Sequence, residues 1–268
     1  MIPLENVTII SINGRDPENS VKAIDYSSRR LKFAKKILIT APDKVQKYDD
    51  IEVFEYDIKN RDVYSYFCIK ELYKYIDTDF CLLVQPDGFV VNPLMWSNRF
   101  FEYDYIGAPH VPGLVEAGLQ SCGKLKEGQN RTNLPHMVGC GGFTLRSKKF
   151  LFEASKLNYP PIKIYNNNTL AEDFFLCVDK KEELEKKGIK FASLDVAFRF
   201  AVEWGAVLDR KVTQSGTPIR HNGFFDSSFG FHGKHPKPAK DFLISLIEHP
   251  ENEKELDVYR NLSYLIKE

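Results

Sequence analysis

The sequence of 268 residues lacks several features that mark large classes of protein. Its 37 basic residues are balanced by 37 acidic residues, so there is no surplus of positive charge for holding nucleic acid. It contains no apolar run of membrane-spanning length, and no basic, apolar leader stands at its start. We therefore expect a cytoplasmic protein that binds no nucleic acid and makes at most peripheral contact with a membrane.

The five cysteines are widely separated and include no C-x-x-C pair, which argues against a structural zinc site. Most lie in apolar runs, where a free thiol behaves as a small buried side chain, as expected in a reducing compartment. The hydrophobic content of 43% is high enough for a folded core. Length and composition together predict a single domain over residues 1–268.

In the first half of the chain, short apolar runs alternate with segments of helical periodicity. The run at 80–85 is apolar on both faces, which is typical of a strand covered by helices above and below its sheet. This order predicts an α/β fold with a mostly parallel central sheet flanked by helices. Strands are predicted at 7–11, 36–40, 51–56 and 80–85, and helices at 18–35 and 62–76.

The second half is less regular. Its most irregular segment, 110–135, is rich in glycine and polar residues and predicts a long loop, and such loops are usually functional or mobile. The other predicted elements are a short strand at 103–107, a glycine-containing strand at 137–146, helices at 147–157, 170–187 and 195–203, a mostly irregular segment at 205–238 and two amphipathic helices in 239–266.

The first candidate for a chemical role is Asp87, in the segment Gln85-Pro-Asp-Gly88 at the end of a buried strand. Ligands of open α/β sheets bind at the carboxyl ends of the strands, and a carboxylate there can hold Mg²⁺ or Mn²⁺. An Asp-Gly turn without any function explains the same residues, and position alone favours that turn.

Two further segments also allow two interpretations. The glycines of Gly139-Cys-Gly-Gly-Phe143 suit close approach of a ligand, or a bulge in a packed sheet. Glu172 fits a capping box that begins at Thr169. The neighbouring Asp173 is not needed for such a cap, and in a cleft it could act as a general base.

The last candidate is His232, in Phe229-Gly-Phe-His-Gly233. A histidine among glycine and aromatic residues is often packed, but a neutral imidazole can also ligate a metal. A cluster of lysines that begins with Lys234 follows it. Such a cluster could bind a diphosphate or form an ordinary solvated surface.

The order of these segments resembles that of the GT-A type of nucleotide-sugar glycosyltransferase. More closely, the chain looks like a sparsely characterised family of GT-A-like domains with a Q-x-D-G-F-V-x-N-P motif. The matching segments are Leu83-Val-Gln-Pro-Asp-Gly-Phe-Val-Val-Asn-Pro93, Tyr103-Asp-Tyr-Ile-Gly-Ala-Pro109, Val138-Gly-Cys-Gly-Gly-Phe-Thr-Leu-Arg-Ser147, Glu172-Asp173 and Phe229-Gly-Phe-His-Gly233.

The resemblance implies a transferase that uses Mn²⁺ or Mg²⁺. It would move a sugar from a nucleotide-diphosphate donor to a saccharide, glycan or lipid-linked glycan acceptor. Asp173 would be the general base of an inverting reaction, positioned by Glu172, whereas a retaining enzyme would leave Asp173 only a positioning role. Asp87 and His232 would hold the metal. The residues expected at the donor are Ser11, Lys70, Gln85, Asp87, Gly141, Gly142 and Lys234.

The resemblance also implies a division of labour along the chain. Residues 1–109 would form the nucleotide-binding half, 110–238 the acceptor and catalytic half, and 239–268 a C-terminal helical tail. Gln85 stands where the family's metal motif has its first Asp, so a non-catalytic sugar- or nucleotide-binding module remains an alternative. A sugar nucleotidyltransferase is a weaker one, because the segment 12–16 after the first strand holds only one glycine and one arginine.

Overall fold

The computed structural model describes residues 1–130, 132–159, 170–203 and 228–233. Its strands are β1 (Ile2–Ile12), β2 (Leu31–Thr40), β3 (Glu52–Glu55), β4 (Phe80–Val84), β5 (Tyr105–Gly107), β6 (Pro109–His110), β7 (Met137–Val138), β8 (Thr144–Ser147), β9 (Ala201–Glu203) and β10 (Gly230–His232). Its α-helices are α1 (Pro17–Ser27), α2 (Arg61–Tyr66), α3 (Pro112–Ser121), α4 (Lys148–Lys156), α5 (Glu172–Phe174), α6 (Lys181–Lys186) and α7 (Leu194–Phe200). Single π-helical turns continue α2 and α5 at Phe67–Glu71 and Phe175–Asp179.

Six of the strands form one sheet in the order β3-β2-β1-β4-β8-β5. Strand β8 is antiparallel to both of its neighbours, and the other strands share one direction. Two small sheets, β6 with β7 and β9 with β10, lie outside it. The predicted α/β fold with a mostly parallel sheet flanked by helices is confirmed.

The centre of the sheet is buried on both faces. Consecutive residues of a strand point to opposite faces, and the pairs Ile9–Ile10 of β1 and Leu82–Leu83 of β4 are all fully buried. Both faces are therefore covered, as expected for parallel strands connected by helices. The first of these helices, α1, begins sharply because Pro17 fits its first position and Asp16 accepts a hydrogen bond from the N–H of Asn19.

The helix predicted at 18–35 is too long. Helix α1 ends at Ser27, and β2 already begins at Leu31. Leu31 and Phe33 are buried while Lys32 between them is exposed, which is the two-residue period of a strand. Pairing of this segment with the start of β1 decides the outcome, since Leu31 lies opposite Ile2 and Phe33 opposite Leu4.

The predicted loop at 110–135 contains helix α3. Proline at the first helical position suits a helix start, and Gly118 is tolerated because the helix packs closely there. A Cβ atom at Gly118 would lie 2.9 Å from Cδ1 of Phe174.

Two other boundaries also differ: the predicted strand 137–146 is interrupted between β7 and β8, and the predicted helix 195–203 ends at Phe200, where β9 follows.

None of the helices in the described ranges is both long and apolar enough to cross a bilayer. The predictions for 205–227 and for the helical tail at 239–268 fall outside the described residues.

Candidate active site

A cleft of about 760 Å³ opens at the carboxyl ends of β1 and β4. The chain leaves β1 toward β2 on one side of the sheet and returns to β4 on the other, and such a switch point is where α/β sheets bind ligands. Residues predicted from the sequence meet in this cleft although they are remote along the chain: they are Gln85, Asp87, Gly141, Gly142, Glu172, Asp173 and His232.

The segment after β4 is a tight turn closed by two backbone hydrogen bonds. The N–H of Gln85 donates to the carbonyl of Gly88 at 2.7 Å, and the reverse bond measures 2.9 Å. The turn presents Asp87 to the cleft. The Gln85 carboxamide donates from Nε2 to the Tyr64 hydroxyl at 2.8 Å, which turns its Oε1 toward His232. The predicted turn is therefore present, and it places Asp87 at the cleft.

His232 is held in the cleft through Nδ1, which lies 2.9 Å from Oε2 of Glu203 and 3.1 Å from Sγ of Cys140. Burial by itself would lower the pKa of His232, but its contacts with Cys140 and Glu203 raise that pKa well above the usual value. Burial raises the pKa of Cys140 to about 12, so the thiol is neutral near pH 7 and Glu203 is the anion of the group. Glu203 therefore fixes the orientation of the imidazole by accepting the Nδ1 proton.

The other ring nitrogen of His232 faces oxygen atoms. Nε2 lies 3.3 Å from Oε1 of Gln85 and 3.9 Å from Oδ1 of Asp87. Once the Nε2 proton is displaced, two oxygens and one imidazole nitrogen, with the far side of the ring anchored by a carboxylate, are donors that suit Mn²⁺ or Mg²⁺. Because the pKa of His232 is raised, an ion would have to compete with that proton. A single carboxylate supplies little charge, so the phosphates of a ligand would have to complete the coordination.

Glu172 lines the cleft but is largely buried, with a relative exposure of 5%. Its Oε1 lies 3.5 Å from Nη2 of Arg146, which is itself fully buried and also contacts the carbonyl of Gly141. Burial, and next the charge of Asp173, raise the pKa of Glu172 to about 7, while Arg146 opposes that rise. The capping interpretation of Glu172 is wrong, because α5 begins at Glu172 with Ala171 as its N-cap and no side-chain cap bond. Thr169 falls outside the described residues.

Asp173 projects its carboxylate into the cleft beside Glu172. Its Oδ1 accepts a hydrogen bond of 2.8 Å from the N–H of Phe174, and its Oδ2 accepts one of 3.3 Å from the N–H of Gly141. Backbone donors on two separate segments thus fix the carboxylate. The remaining lone pairs are available to a hydroxyl group in the cleft.

Gly141 and Gly142 separate the acidic pair from the histidine, and each lacks a side chain for a steric reason. A Cβ atom at Gly141 would lie 2.2 Å from Oε1 of Glu172, and one at Gly142 would lie 2.0 Å from Nε2 of His232. These distances are far below van der Waals contact. The glycine pair is therefore required by close approach of cleft side chains, and not by a bulge within a strand.

The loop after β1 forms the opposite wall of the cleft and contains residues that sequence reasoning did not select. Asn13 accepts hydrogen bonds from the N–H groups of Arg15 and Asp16 at 2.9 and 3.0 Å, which makes a rigid turn. Arg15 lines the cleft, as does Arg61 at the start of α2. An Asn-Gly pair directly after the first strand was the available signal for this turn.

Three residues expected at the donor are not in the cleft-lining set of the described residues. Ser11 is fully buried within β1, although the turn that follows it lines the cleft. Lys70 donates from Nζ to the carbonyl of Ser155 at 2.7 Å and to that of Leu157, so it joins its helix to the end of α4. Lys234 lies outside the described residues.

The fold is similar to that of solved glycosyltransferase structures. An active-site mutant of LgtC superposes with a TM-score of 0.52 at 12% identity, over 96% of this chain and 95% of that chain. The galactosyltransferase LgtC in complex with donor and acceptor sugar analogues gives a TM-score of 0.48 at 12% identity, over 96% of each chain. The glycosyltransferase GlyE of Streptococcus pneumoniae TIGR4 gives 0.44 at 12% identity, over 97% of this chain and 60% of that one.

The sequence profile of the family described as "Protein of unknown function (DUF5672)" matches residues 49–219, and the chain belongs to this family. A search of curated proteins found no match to the sequence. At this level of identity the structural likeness defines the fold alone.

Proposed function

We propose that the chain is a glycosyltransferase that moves a sugar from a nucleotide-diphosphate donor to a hydroxyl group of a saccharide, glycan or lipid-linked glycan. The observation that carries this proposal is that Asp87, His232 and Asp173, from three separate segments, face one cleft at the switch point of a GT-A sheet. A metal-ligand set and a fixed carboxylate in one cavity are what transfer from a diphosphate requires.

The donor would bind with its diphosphate near Asp87 and His232. These two residues would hold Mn²⁺ or Mg²⁺, and the ion would neutralise the charge that develops on the departing diphosphate. Gln85 would orient the group through its bond to Tyr64. Arg61 and Arg15 line the same cleft and would contribute positive charge toward the phosphates, while the rigid turn at Asn13 would contact the nucleoside.

Asp173 would accept the proton of the acceptor hydroxyl as that oxygen attacks the sugar. Its geometry supports this role, because two backbone N–H groups hold the carboxylate at the cleft surface. Glu172 and Arg146 would support it from behind by fixing the start of α5 and the carbonyl of Gly141. A single displacement of this kind inverts the configuration of the anomeric carbon.

The second candidate is a module that binds a nucleotide sugar without turning it over. It is favoured by one observation: Gln85, in place of a metal-binding carboxylate, is already engaged with Tyr64. The two candidates share the cleft and differ in turnover.

A thermal-shift screen against UDP-, GDP- and dTDP-sugars, with and without Mn²⁺, tests both. A ligand at 100 times its Kd stabilises the native state by about 2.7 kcal/mol. We expect one donor to raise the Tm, with a component that requires Mn²⁺ and is lost in Asp87→Asn. Asp173→Asn should keep the shift and lose release of nucleoside diphosphate.

The exposed Asp49, remote from the cleft, provides a matched control in Asp49→Asn, which should change neither readout. A donor shift without any turnover in the unmodified protein would establish the binding module instead. No shift with any donor in the presence of Mn²⁺ would refute both candidates.

A further inference from the structure

His110 of β6 is a buried histidine without a hydrogen-bond partner among the described residues. Its relative exposure is 4%, and neither Nδ1 nor Nε2 is hydrogen bonded there. Buried polar groups are nearly always paired, so an unpaired ring demands an explanation. The sequence gives no hint of a role for it, since it follows a short apolar strand and lies in no recognised motif.

An acceptor atom close to the ring belongs to the acidic pair of the cleft, and the charge of Glu203 also acts on this histidine. Nε2 of His110 lies 3.7 Å from Oδ2 of Asp173, slightly beyond hydrogen-bond length. Movement of less than about 1 Å would close this bond. Oδ1 of Asp173 already accepts from Phe174 and Oδ2 accepts a longer bond from Gly141, so the imidazole would add a third donor, at Oδ2.

The ring of His110 is held tightly in place. A Cβ atom at Gly139 would lie 2.3 Å from its Cδ2 atom, and the ring of Phe174 packs against it with centroids 5.3 Å apart. The histidine therefore has little freedom to turn toward another partner. Its orientation is set by the backbone at Gly139 and by the residue that follows Asp173.

We propose that His110 is a positioning residue for Asp173. With its proton on Nε2, the imidazole donates to Oδ2 and holds the carboxylate toward the acceptor. This inference rests on the proposed function. In the reaction the acceptor O–H bond breaks and its proton passes to Asp173. A bond forms from the acceptor oxygen to the anomeric carbon, and the sugar–phosphate bond breaks with its electron pair leaving on the diphosphate. His110 keeps its own proton throughout.

The kinetic test compares His110→Phe with His110→Gln, using the UDP-, GDP- or dTDP-sugar that gives turnover with Mn²⁺. Phenylalanine fills the site without a donor, whereas the glutamine amide can place an N–H near the position of Nε2. We expect His110→Phe to lower kcat by about 10- to 100-fold at unchanged donor KM, because misplacing a reacting group by about 1 Å has effects of this size. His110→Gln should recover most of the loss. His110→Phe combined with Asp173→Asn should be no slower than Asp173→Asn alone.

Three kinetic results would overturn the inference: unchanged kcat in His110→Phe, equal losses in both His110 variants, or losses that multiply in the double variant.

An independent readout needs no turnover. The ¹⁵N resonances of the His110 ring should move in Asp173→Asn and stay in place in Asp49→Asn. Unmoved resonances would refute the pairing even in an active transferase. If the resonances move in a protein that binds no donor, the pairing of His110 with Asp173 is supported and the proposed function is refuted.

Discussion

Replacing Gly142 by alanine tests the construction of the cleft with a single methyl group. The backbone of Gly142 is outside the left-handed region, so alanine meets no conformational strain there and the effect is purely steric. The new Cβ atom would lie 2.0 Å from Nε2 and 2.2 Å from Cδ2 of His232, and 2.7 Å from Oε1 of Gln85. Ordinary contact needs more than 3 Å, so the Nε2 side of the histidine has to move.

His232 cannot move freely, because Glu203 holds its Nδ1 at 2.9 Å and its backbone is part of β10. Overpacking of this kind costs about 1–3 kcal/mol. A loss of 1 kcal/mol lowers the Tm by about 2–4 °C in domains of 150–250 residues, so Gly142→Ala should melt roughly 2–12 °C lower. Displacement of Nε2 and of the Gln85 oxygen should also abolish the Mn²⁺-dependent part of donor stabilisation.

The matched control is Gly113→Ala, in the first turn of α3. A Cβ atom at Gly113 has no neighbour within 4 Å among the described residues, so alanine should be neutral, or stabilising by up to about 1 kcal/mol through its helix propensity. Differential scanning fluorimetry with and without donor and Mn²⁺ measures both variants. If Gly142→Ala and Gly113→Ala have the same Tm without ligand and the same Tm with donor and Mn²⁺, His232 does not pack against Gly142 and the described arrangement of the cleft is wrong.

Three further predictions concern the residues around the cleft. Glu203→Gln leaves His232 without the anion that orients it. A calorimetric titration in the presence of donor should therefore show Mn²⁺ binding weakened by about 10- to 100-fold. Equal Mn²⁺ affinity of the variant and the unmodified protein would show that Glu203 has no role in the site. Arg146→Met leaves Glu172 buried without its cation and should lower the free energy of unfolding measured in urea by about 3–5 kcal/mol. Arg146→Met combined with Glu172→Gln should lower it much less, and equal losses would contradict the pairing. The pKa of Glu172 is raised from 4.5 to about 7, first by burial, so the native state binds this proton more tightly than the unfolded chain does. The stability of the unmodified protein relative to Glu172→Gln should therefore fall as the pH rises from about 4.5 to about 7 and stay level above that, and a difference independent of pH in urea unfolding would refute the assignment.

The sheet was predictable because its signals are local. Runs such as Phe80–Val84 are too apolar for an exposed segment and too short for a buried helix, so they indicate buried strands. They alternate with segments of helical periodicity. The errors occur where long-range pairing outweighs local pattern. Leu31 fits the helical spacing that begins at Val21, yet pairing with the start of β1 draws it into β2.

The candidate site was predictable only in part. Asp87 stood out at the end of an apolar run before a glycine, Glu172 and Asp173 at a predicted helix start, and His232 among glycine and aromatic residues. Their neighbours Glu203 and His110 only follow short apolar runs, and neither stands before a glycine or at a predicted helix start. Each acquires its importance from an atom on another segment, the first from Nδ1 of His232 and the second from Oδ2 of Asp173.

By itself, the order of residues determined a mixed α/β chain with chemically capable groups at the ends of its apolar runs, since periodicity and composition act over a few neighbouring residues. It could not decide which of those groups were ordinary turns and caps. Folding decided which of them meet, because neighbouring strands of the sheet bring their carboxyl ends to one edge and place the turn after β4, the glycine pair, the start of α5 and the end of β10 around one cavity. Distances between atoms on remote segments follow from that packing, and patterns within a few neighbouring residues do not determine them.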